Sequence, residues 1–439
     1  MLLEFTVGNF YSIKEEISLS MIASSDDTYD EINTFNVEDG ISALRTSVIY
    51  GANGSGKSNF LKAIKFFQSF IKNSSKKYTI GDNIPVMPFR FNTDNAEKPS
   101  LFEIIFHENG KRYRYGFEVD QEKVVSEWLY VKFTSRESLM FYREQENPIE
   151  IGSKYRGIKK YLNKHKNVRE NALFLSVLVQ NGDEGEAKEV AKYVNNITVI
   201  SGLMGSHNGK TIELLNIDKY HDEKEEIINI MKSVDFGLDS LSLDFHELDV
   251  SEKNEIIDTF PDELRKIIEK NMGKGIEFGP IKEIEINSHH KIFNGDNKFI
   301  GFETLKIEEE SDGTKRFFQL IGPVIDSIKN GKVLFIDEME SNLHLFILET
   351  IIKLFQNKCV NSDSQLVFST HNISLLSSEL FRRDQIWLME KDIYGASTLN
   401  SLVEYKLRKD VSFEKNYRMG KFGAIPMIHE KCIGDDSNE

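Results

Sequence analysis

The segment that decides the fold is TSVIYGANGSGKS, residues 46–58. Its last eight residues, 51–58, match the pattern G-x-x-x-x-G-K-[ST]. A β-rich apolar run ends at Gly51, and directly after the loop apolar residues recur at helical spacing: Phe60, Leu61, Ile64, Phe67 and Phe70. Because a strand precedes the glycine-rich turn and an amphipathic helix follows it, the segment predicts a phosphate-binding loop between the two.

The residue types of this loop suit the binding of a nucleoside triphosphate. Glycines let the backbone curl so that successive N–H groups point at phosphate oxygens, and the next helix presents its positive N-terminal end there. Lys57 is predicted to reach the β- and γ-phosphates, and the Ser58 hydroxyl is predicted to ligate Mg²⁺. The predicted nucleotide-binding residues of the loop are Asn53, Gly54, Ser55, Gly56, Lys57, Ser58 and Asn59.

Two later apolar runs predict the other half of such a site. VLFID at 333–337 is a short strand that is apolar up to Asp337, and Glu338 follows it. Such a continuous apolar run is typical of a strand in a buried parallel sheet. Asp337 is predicted to hold Mg²⁺, and Glu338 is predicted to act as the general base that activates water. LVFST at 366–370 ends just before His371, which could sense the γ-phosphate or simply cap the next helix.

A serine–glycine turn, ESDGT at 310–314, opens another predicted helix, which covers residues 313–328. Ser311 can cap the helix, and Gly313 allows a close backbone approach. Taken alone, this pattern favours nothing more than a capped helix.

The remaining pattern divides the chain into three parts. Residues 1–148 read mostly as strands and include a hairpin at 100–119 with an Asn-Gly turn. Residues 149–277 are largely helical and highly charged, and we interpret them as an inserted domain. In residues 278–439 strands return, beginning with IKEIEINS at 281–288 and a hairpin.

Composition narrows the class of protein. The net charge of −15 argues against non-specific nucleic-acid binding over the whole surface. No apolar stretch reaches the roughly 18 residues of a membrane span, and the N-terminus lacks the features of a signal peptide. Cys359 and Cys432 are too few for a disulfide scaffold or a four-cysteine zinc site, so we expect reduced thiols in a cytoplasmic protein.

The motifs, in this order, resemble the ABC-type heads of SMC, RecF and OLD-like ATPases. More closely, the chain resembles the bacterial AAA15-type ATPases, many of which occur in anti-phage and abortive-infection operons. The matching stretches are Asn9-Phe10 with Ser12, PFRFN at 88–92, EWLY at 127–130, N-x-LFLS at 171–176, ESDGT at 310–314, DEMESNLH at 337–344, STHN at 369–372, DQIWLMEKD at 384–392 and YRMGKFGAIP at 417–426.

This resemblance implies an α/β fold: an ABC/SMC-type P-loop ATPase head with a mixed sheet and a β-rich N-terminal lobe, interrupted by a mainly helical insertion. It implies hydrolysis of Mg²⁺–ATP at the interface of a homodimer or larger homo-oligomer. ESDGT would be the signature motif, so that Ser311 and Gly313 contact the nucleotide bound to the other subunit. Asn342 would help to line that interface, and His371 would be the switch histidine.

Three features depart from the pattern of the resemblance. Asp312 stands where ABC signatures usually carry a second glycine, which places a negative charge near a phosphate. Tyr11 stands where related heads often carry a basic residue. No clear glutamine corresponds to the usual Q-loop, and Arg90 is the candidate neighbour of the site.

Two other clusters leave alternatives open. The basic stretch 154–169, with Tyr155 and Tyr161 interleaved, could bind nucleic acid or an acidic partner, or be a solvated helical face. A second basic run covers 406–421. The pair His289-His290 lacks a third ligand at a suitable spacing, and adjacent strand residues face opposite sides, so we expect no metal there. No set of acidic residues predicts a nuclease centre.

The resemblance therefore implies the sensor or motor of a phage-defence system that controls a separate effector, either a toxin or a nuclease. Two alternatives remain open. One is a RecF- or SMC-like DNA-repair ATPase that clamps DNA, and the other is a nucleotide-gated scaffold with negligible turnover.

Overall fold

The computed structural model describes residues 1–26, 28–38, 40–145, 147–155, 168–201, 208–216, 221–234, 237–247, 282–405 and 412–425. The chain divides into two compact units. The first comprises Met1–Gly205 and Asp326–Glu439, and the second comprises Ser206–Ile325.

The strands are β1 Leu2–Gly8, β2 Ile17–Ser20, β3 Thr34–Glu38, β4 Ile41–Leu44, β5 Thr46–Tyr50, β6 Ser100–Glu108, β7 Lys111–Val119, β8 Val124–Lys132, β9 Glu137–Glu144, β10 Glu150–Ile151, β11 Ile197–Ile200, β12 Leu238–Glu247, β13 Lys282–Phe293, β14 Phe299–Lys306, β15 Val333–Ile336, β16 Gln365–Thr370, β17 Ile386–Lys391 and β18 Ser397–Ser401. The α-helices are Asp30–Asn33, Lys57–Lys77, Thr93–Ala96, Phe174–Gln180, Glu186–Asn195, Asn208–Asn216, His221–Ser233, Asp312–Asn330, Leu345–Gln356 and Phe413–Arg418.

The centre of the first unit is a sheet with the strand order β11-β15-β16-β5-β17-β18. The first five strands are parallel, and β18 is antiparallel to β17. Every residue of β5, β15 and β16 is buried, as the apolar runs predict for a parallel sheet. Because the strands are parallel, the segments that follow β15, β16 and β5 all emerge at the same side of the sheet, at the carboxyl ends of the strands.

The β-rich N-terminal lobe is an antiparallel sheet with the order β10-β9-β8-β7-β6-β1-β2. Burial alternates along β6, so one face of the lobe packs into the core. The predicted hairpin is confirmed, with Ser100 opposite Val119 and Glu108 opposite Lys111. Asn109 and Gly110 have φ angles of 51° and 72°, as an Asn-Gly turn requires. Together with the parallel sheet, this lobe confirms the predicted α/β fold class.

The helix Lys57–Lys77 carries the apolar face that the sequence predicts. It buries Phe60, Leu61, Ile64, Phe67 and Phe70. The Phe67 ring stacks on Phe117 with centroids 5.4 Å apart, and Phe5 meets both Phe60 and Phe67 edge-on. The helix that follows the phosphate loop is therefore fixed to the N-terminal lobe by aromatic packing.

One strand of the central sheet lies in the stretch interpreted as an insertion. Ile197–Ile200 pairs in parallel with Val333–Ile336 and forms the edge of the sheet. Gln68 donates to the carbonyls of Val194 and Ile197 at 2.9 and 2.6 Å, which ties this strand to the phosphate-loop helix. Four residues, ITVI, carry too little pattern to distinguish a core strand from a loop, and their partner lies far along the chain.

The second unit contains an antiparallel sheet with the order β12-β13-β14, so the hairpin expected after 281–288 is confirmed. The helix Asp312–Asn330 starts in this unit and contains Pro323. The Thr211 hydroxyl donates to the Phe318 carbonyl at 2.7 Å and accepts from the Gly322 N–H at 3.2 Å. Thr211 thus enters the hydrogen-bond ladder of this helix directly before the proline.

Candidate functional site

The phosphate loop connects β5 to the helix Lys57–Lys77 and depends on glycine at two close approaches. Gly56 has φ 117°, and a β-carbon there would lie 2.3 Å from the Ser397 hydroxyl. A β-carbon at Gly51 would lie 2.4 Å from the carbonyl oxygen of Met389. No other residue fits these positions without moving neighbouring strands.

A cavity of about 200 Å³ opens on the loop. The Ser55 hydroxyl is buried and has no hydrogen-bond partner among the described residues. An unsatisfied buried hydroxyl beside backbone N–H groups fits a ligand rich in acceptor oxygens. The cavity is lined by Asn53, Gly54, Ser55, Gly56, Lys57, Ser58, Asn59, Glu338 and Lys391.

Lys57 lies between the loop and the predicted acidic residues. Its ammonium group donates to the carbonyl oxygens of Gly51 and Ala52 at 2.7 and 3.1 Å. Burial lowers the pKa of Lys57, and nearby negative charges oppose the shift. Those charges belong, from the largest effect to the smallest, to Glu340, Asp337 and Glu338. The loop lysine and the distant acids therefore meet at one edge of the sheet.

Asp337 and Glu338 follow β15 and share one partner, Ser369 of β16. The Ser369 hydroxyl donates to Asp337 Oδ1 at 2.6 Å and accepts the Glu338 N–H at 2.9 Å. Glu338 has φ 47°, a left-handed conformation that costs a non-glycine residue roughly 1–3 kcal/mol. This strained turn holds the acidic pair, and Glu338 is one of the residues that line the cavity.

His371 follows β16 and contacts an acid that sequence reasoning missed. Its Nδ1 lies 2.7 Å from Glu340 Oε1, and its backbone N–H donates to the same oxygen at 2.6 Å. Glu340 Oε2 is buried and has no hydrogen-bond partner among the described residues. A signal existed in the sequence, since Glu340 is a third acid two residues after Glu338.

Three further residues at the site were missed. The Ser397 hydroxyl donates to the Ser55 carbonyl at 2.7 Å, and its oxygen lies 2.8 Å from Ser12 Oγ. Asn59 donates to the same Ser12 oxygen at 2.8 Å. The serine of the N-terminal Asn9-Phe10-x-Ser12 match thus braces the phosphate loop. Lys391, at the end of β17, adds a second cation to the cavity.

The two departures near the N-terminus occupy defined positions. Tyr11 has φ 50°, and its N–H donates to the Met87 carbonyl at 2.8 Å. The Lys62 ammonium lies 5.1 Å from the centroid of the Tyr11 ring. Arg90 is exposed and contacts the Met87 sulfur at 3.3 Å. Neither Tyr11 nor Arg90 is among the residues that line the cavity.

The signature-like turn belongs to the second unit. Ser311 Oγ accepts the Thr314 N–H at 3.1 Å, so the predicted helix cap is confirmed. The Asp312 carboxylate pairs with Lys315 at 2.9 Å, which offsets part of its charge. Glu310 is nearly buried and accepts from His290 Nε2 at 2.6 Å. Asn342, in the loop after β15, has φ 59°.

The other sequence candidates give no second site in the described part of the chain. His289 bonds Ser242 and Thr304, and no group of three or more His, Cys, Asp or Glu residues there could hold a metal ion. Cys359 is exposed and free. No described helix has the length and apolar character to cross a membrane. Most of the basic stretch 154–169, residues 406–411 of the second run, and Cys432 lie outside the described residues.

Comparison with known proteins gives one family. The family model described as "AAA domain, putative AbiEii toxin, Type IV TA system" matches residues 47–169 and 218–377. These ranges include the phosphate loop, Asp337, Glu338 and His371. No curated protein matches the chain in sequence.

The solved structures that resemble the chain include SMC head domains. The SMC head domain from Thermotoga maritima is 14% identical, with a TM-score of 0.38 over 91% of this chain and 98% of that one. An SMC head bound to the C-terminal winged-helix domain of ScpA is 15% identical, with a TM-score of 0.40 over 94% and 99%. The head of Pyrococcus furiosus bound to the ScpA C-terminal domain is 14% identical, with a TM-score of 0.32 over 96% and 98%.

Proposed function

The chain belongs to the AAA domain family of AbiEii type, and on that premise we propose that it binds Mg²⁺–ATP in the phosphate-loop cavity and hydrolyses it. One observation carries the proposal. The buried ammonium of Lys57 is flanked by the phosphate loop on one side and by the charges of Glu340, Asp337 and Glu338 on the other. A triphosphate with its divalent cation complements both sets of charges.

The loop supplies the donors for the phosphates. The helix N-terminus and the backbone N–H groups favour negative charge, and the Ser55 hydroxyl is free to donate. Lys57 would exchange its two carbonyl contacts for the β- and γ-phosphates, and Lys391 would add a second positive charge. Hydrolysis would then rely on positioning and on stabilisation of charge in the transition state.

Ser58 and Asp337 are the residues that would hold Mg²⁺. An ion that keeps several waters and phosphate oxygens needs only one or two protein ligands, so one hydroxyl and one carboxylate suffice. Mg²⁺, when bound, neutralises charge that develops on the phosphates. Ser369 orients the Asp337 carboxylate through its 2.6 Å hydrogen bond.

Glu338 would accept the proton of the attacking water. Its backbone is held by Ser369, and the residue lines the cavity, which places it beside a water at the γ-phosphate. His371 would contact the γ-phosphate from the neighbouring strand end.

Hydrolysis would take place between two copies of the chain. In this proposal Ser311 and Gly313 contact the nucleotide held by the partner, and Asn342 lines the interface. The Ser311 hydroxyl and the N-terminal end of the helix Asp312–Asn330 supply anion-binding groups. The support is the family resemblance together with a helix N-terminus of the kind that binds phosphate.

Mixed dimers test this proposal. Lys57→Ala and Ser311→Arg should each abolish hydrolysis, since each removes one half of every composite site. Mixing the two purified variants should restore up to about one quarter of the wild-type rate. Half of randomly paired dimers are then mixed, and each of these keeps one intact site of two. No recovery, with subunit exchange verified by mass spectrometry, would contradict action across the interface.

The cellular role that this site best serves is that of the sensor or motor of an anti-phage system that acts on a separate toxin or nuclease. The family description names a toxin, which favours defence over DNA repair. Expression of the chain alone should leave growth unaffected, whereas co-expression with the neighbouring gene should confer phage resistance that Lys57→Ala removes. Growth arrest by the chain alone would contradict a separate effector. DNA-stimulated hydrolysis that falls steeply with salt would favour the DNA-clamp alternative.

A further inference from the structure

The contact between Glu340 and His371 is a second polar arrangement at the site, distinct from the acidic pair that follows β15. Glu340 is nearly buried, with 8% of its side chain exposed, whereas the His371 side chain is 54% exposed. A single carboxylate oxygen accepts the backbone N–H of His371 and lies 2.7 Å from its ring nitrogen Nδ1. An exposed ring would otherwise rotate freely. The two contacts with Glu340 together fix the position of the His371 backbone and the orientation of its ring.

The contact also decides which ring nitrogen is available. A ring nitrogen 2.7 Å from a carboxylate oxygen carries its hydrogen there, because its lone pair would repel the oxygen; in the neutral ring Nδ1 is therefore protonated and Nε2 is the free nitrogen. Carboxylate partners commonly set the tautomer and orientation of a functional histidine in this way. The ring therefore presents Nε2 in one defined direction.

A purely structural function does not account for Glu340. Its Oε2 atom is buried without a hydrogen-bond partner among the described residues, and the buried Tyr50 hydroxyl is likewise unpaired. Burial raises the pKa of Tyr50, and the charge of Glu340 adds to that shift, so the two groups are close. Unsatisfied buried groups lower the free energy of unfolding, so a carboxylate placed here for stability alone would be poorly chosen.

We propose that Glu340 is a positioning residue for ATP hydrolysis, because its carboxylate oxygen holds the His371 backbone and Nδ1 so that the Nε2 lone pair accepts a hydrogen of the water that attacks the γ-phosphate. The inference rests on the proposed function, which places His371 beside the γ-phosphate. The hydrogen bonds, and not the negative charge, carry the effect. The alternative is that Glu340 acts by charge on Lys57, whose pKa it raises more than Asp337 or Glu338 does.

Two substitutions separate hydrogen bonding from charge. Glu340→Gln keeps the length of the side chain and an oxygen that can accept both bonds, but it removes the charge. Glu340→Asp keeps the charge, but it is one methylene shorter and cannot make both contacts. Positioning predicts that Gln retains kcat within a few-fold and that Asp loses about 10–100-fold, with the Kd for ATP unchanged in both. The opposite order, or a loss that falls on ATP affinity, would overturn the proposal in favour of charge on Lys57.

A double-mutant cycle with His371→Ala tests the route of the effect. If Glu340 acts through His371, Glu340→Asp should cause no further loss of kcat in the His371→Ala background. Equal losses in both backgrounds would contradict the proposal. Glu349→Gln is the matched control, since Glu349 is an acid on the helix Leu345–Gln356 that pairs with Lys353 on the same helix. It should leave kcat unchanged.

A measurement without turnover keeps this proposal separate from the proposed function. Two-bond ¹H–¹⁵N spectra of ¹⁵N-histidine-labelled protein report which ring nitrogen is protonated, and His371→Ala assigns the signal. His371 should carry its hydrogen on Nδ1 in wild type and in Glu340→Gln, but not in Glu340→Asp. A protein that shows this pattern but hydrolyses no ATP would refute the proposed function, while the orientation of His371 by Glu340 would stand. An Nε2-protonated wild type would refute the positioning.

Discussion

Two buried carboxylates in the first unit, Glu127 on β8 and Glu340 after β15, have opposite surroundings. Glu127 has no exposed side-chain surface and accepts from the Phe174 and Leu175 N–H groups at 2.6 and 2.9 Å. It also accepts from the Tyr115 hydroxyl at 3.0 Å and lies 3.8 Å from Arg143. Both of its oxygens have hydrogen-bond partners, whereas Glu340 leaves one oxygen buried without a partner among the described residues.

This difference distinguishes a carboxylate that stabilises the fold from one that belongs to the candidate site. Glu127 joins the N-terminal sheet to the start of the helix Phe174–Gln180, where backbone N–H groups have no partners in the helix itself. The motifs EWLY and N-x-LFLS therefore meet in one structural joint. Asn171 extends that joint by donating to the carbonyls of Thr79 and Asp82. Among the described residues, that joint leaves one buried atom without a partner, Asn171 Oδ1, whereas the carboxyl-terminal end of the parallel sheet leaves three, on Ser55, Tyr50 and Glu340. Several such atoms at one end of the sheet fit a site that awaits a polar ligand.

The comparison predicts that substitutions at the site lower the hydrolysis rate without lowering stability, and the largest such effect is expected for Glu338→Gln. Loss of a general base lowers the hydrolysis rate by about 10²–10⁴-fold. The variant should still bind ATP and should trap the closed dimer, and its thermal stability should be close to that of the wild type, because the left-handed backbone is unchanged. Single-turnover hydrolysis and size-exclusion chromatography with ATP measure the two outcomes. Hydrolysis at the wild-type rate would show that Glu338 is not the base.

Glu127→Ala should give the converse result. The change leaves Arg143, the Tyr115 hydroxyl and two backbone N–H groups buried without their partner, which costs about 3–5 kcal/mol in the free energy of unfolding. Urea unfolding measures the loss, and Glu137→Ala, at a partly exposed ion pair with Arg114, should cost under about 1 kcal/mol. The turnover number per folded molecule should stay at the wild-type value. A specific loss of turnover in folded protein would break the distinction between the two carboxylates.

A smaller effect is expected for Ser369→Ala, because Ser369 both stabilises the fold and supports the candidate site. Ser369 satisfies the Glu338 N–H and orients Asp337, so it is both part of the sheet and a support for the predicted Mg²⁺ ligand. Removal of such a supporting hydrogen bond typically lowers metal affinity by about 10–100-fold. Titration of ATPase activity with Mg²⁺ should show a raised half-saturation concentration, with kcat recovered at high Mg²⁺. An unchanged Mg²⁺ dependence would assign Ser369 to the architecture alone.

How much of the fold and the site the sequence predicts depends on how far apart in the chain the residues of each pattern lie. The phosphate loop, the Asn-Gly hairpin and the strand before Asp337 are local patterns, and each was correctly placed. The pairing of Ile197–Ile200 with β15 was not foreseen, because a four-residue apolar run does not identify its partner. The contacts of Ser397 and Glu340 were missed for the same reason. Their meaning depends on which residues of distant segments the sheet brings together.

The smallest effect is expected for Ser397→Ala, which probes the brace behind the phosphate loop. The Ser397 hydroxyl bonds the Ser55 carbonyl and Ser12, and a β-carbon at Gly56 would collide with it. Alanine keeps the β-carbon but leaves the Ser55 carbonyl and Ser12 with one contact fewer, which costs about 1 kcal/mol. Because the brace holds the loop in its binding conformation, ATP affinity should fall by a few-fold while kcat is unchanged, as calorimetry and saturation kinetics would show. A larger fall in kcat than in ATP affinity would mean that Ser397 supports the chemical step and not only the conformation of the loop. Ser397 would then be a residue of the site, although its hydroxyl has hydrogen-bond partners.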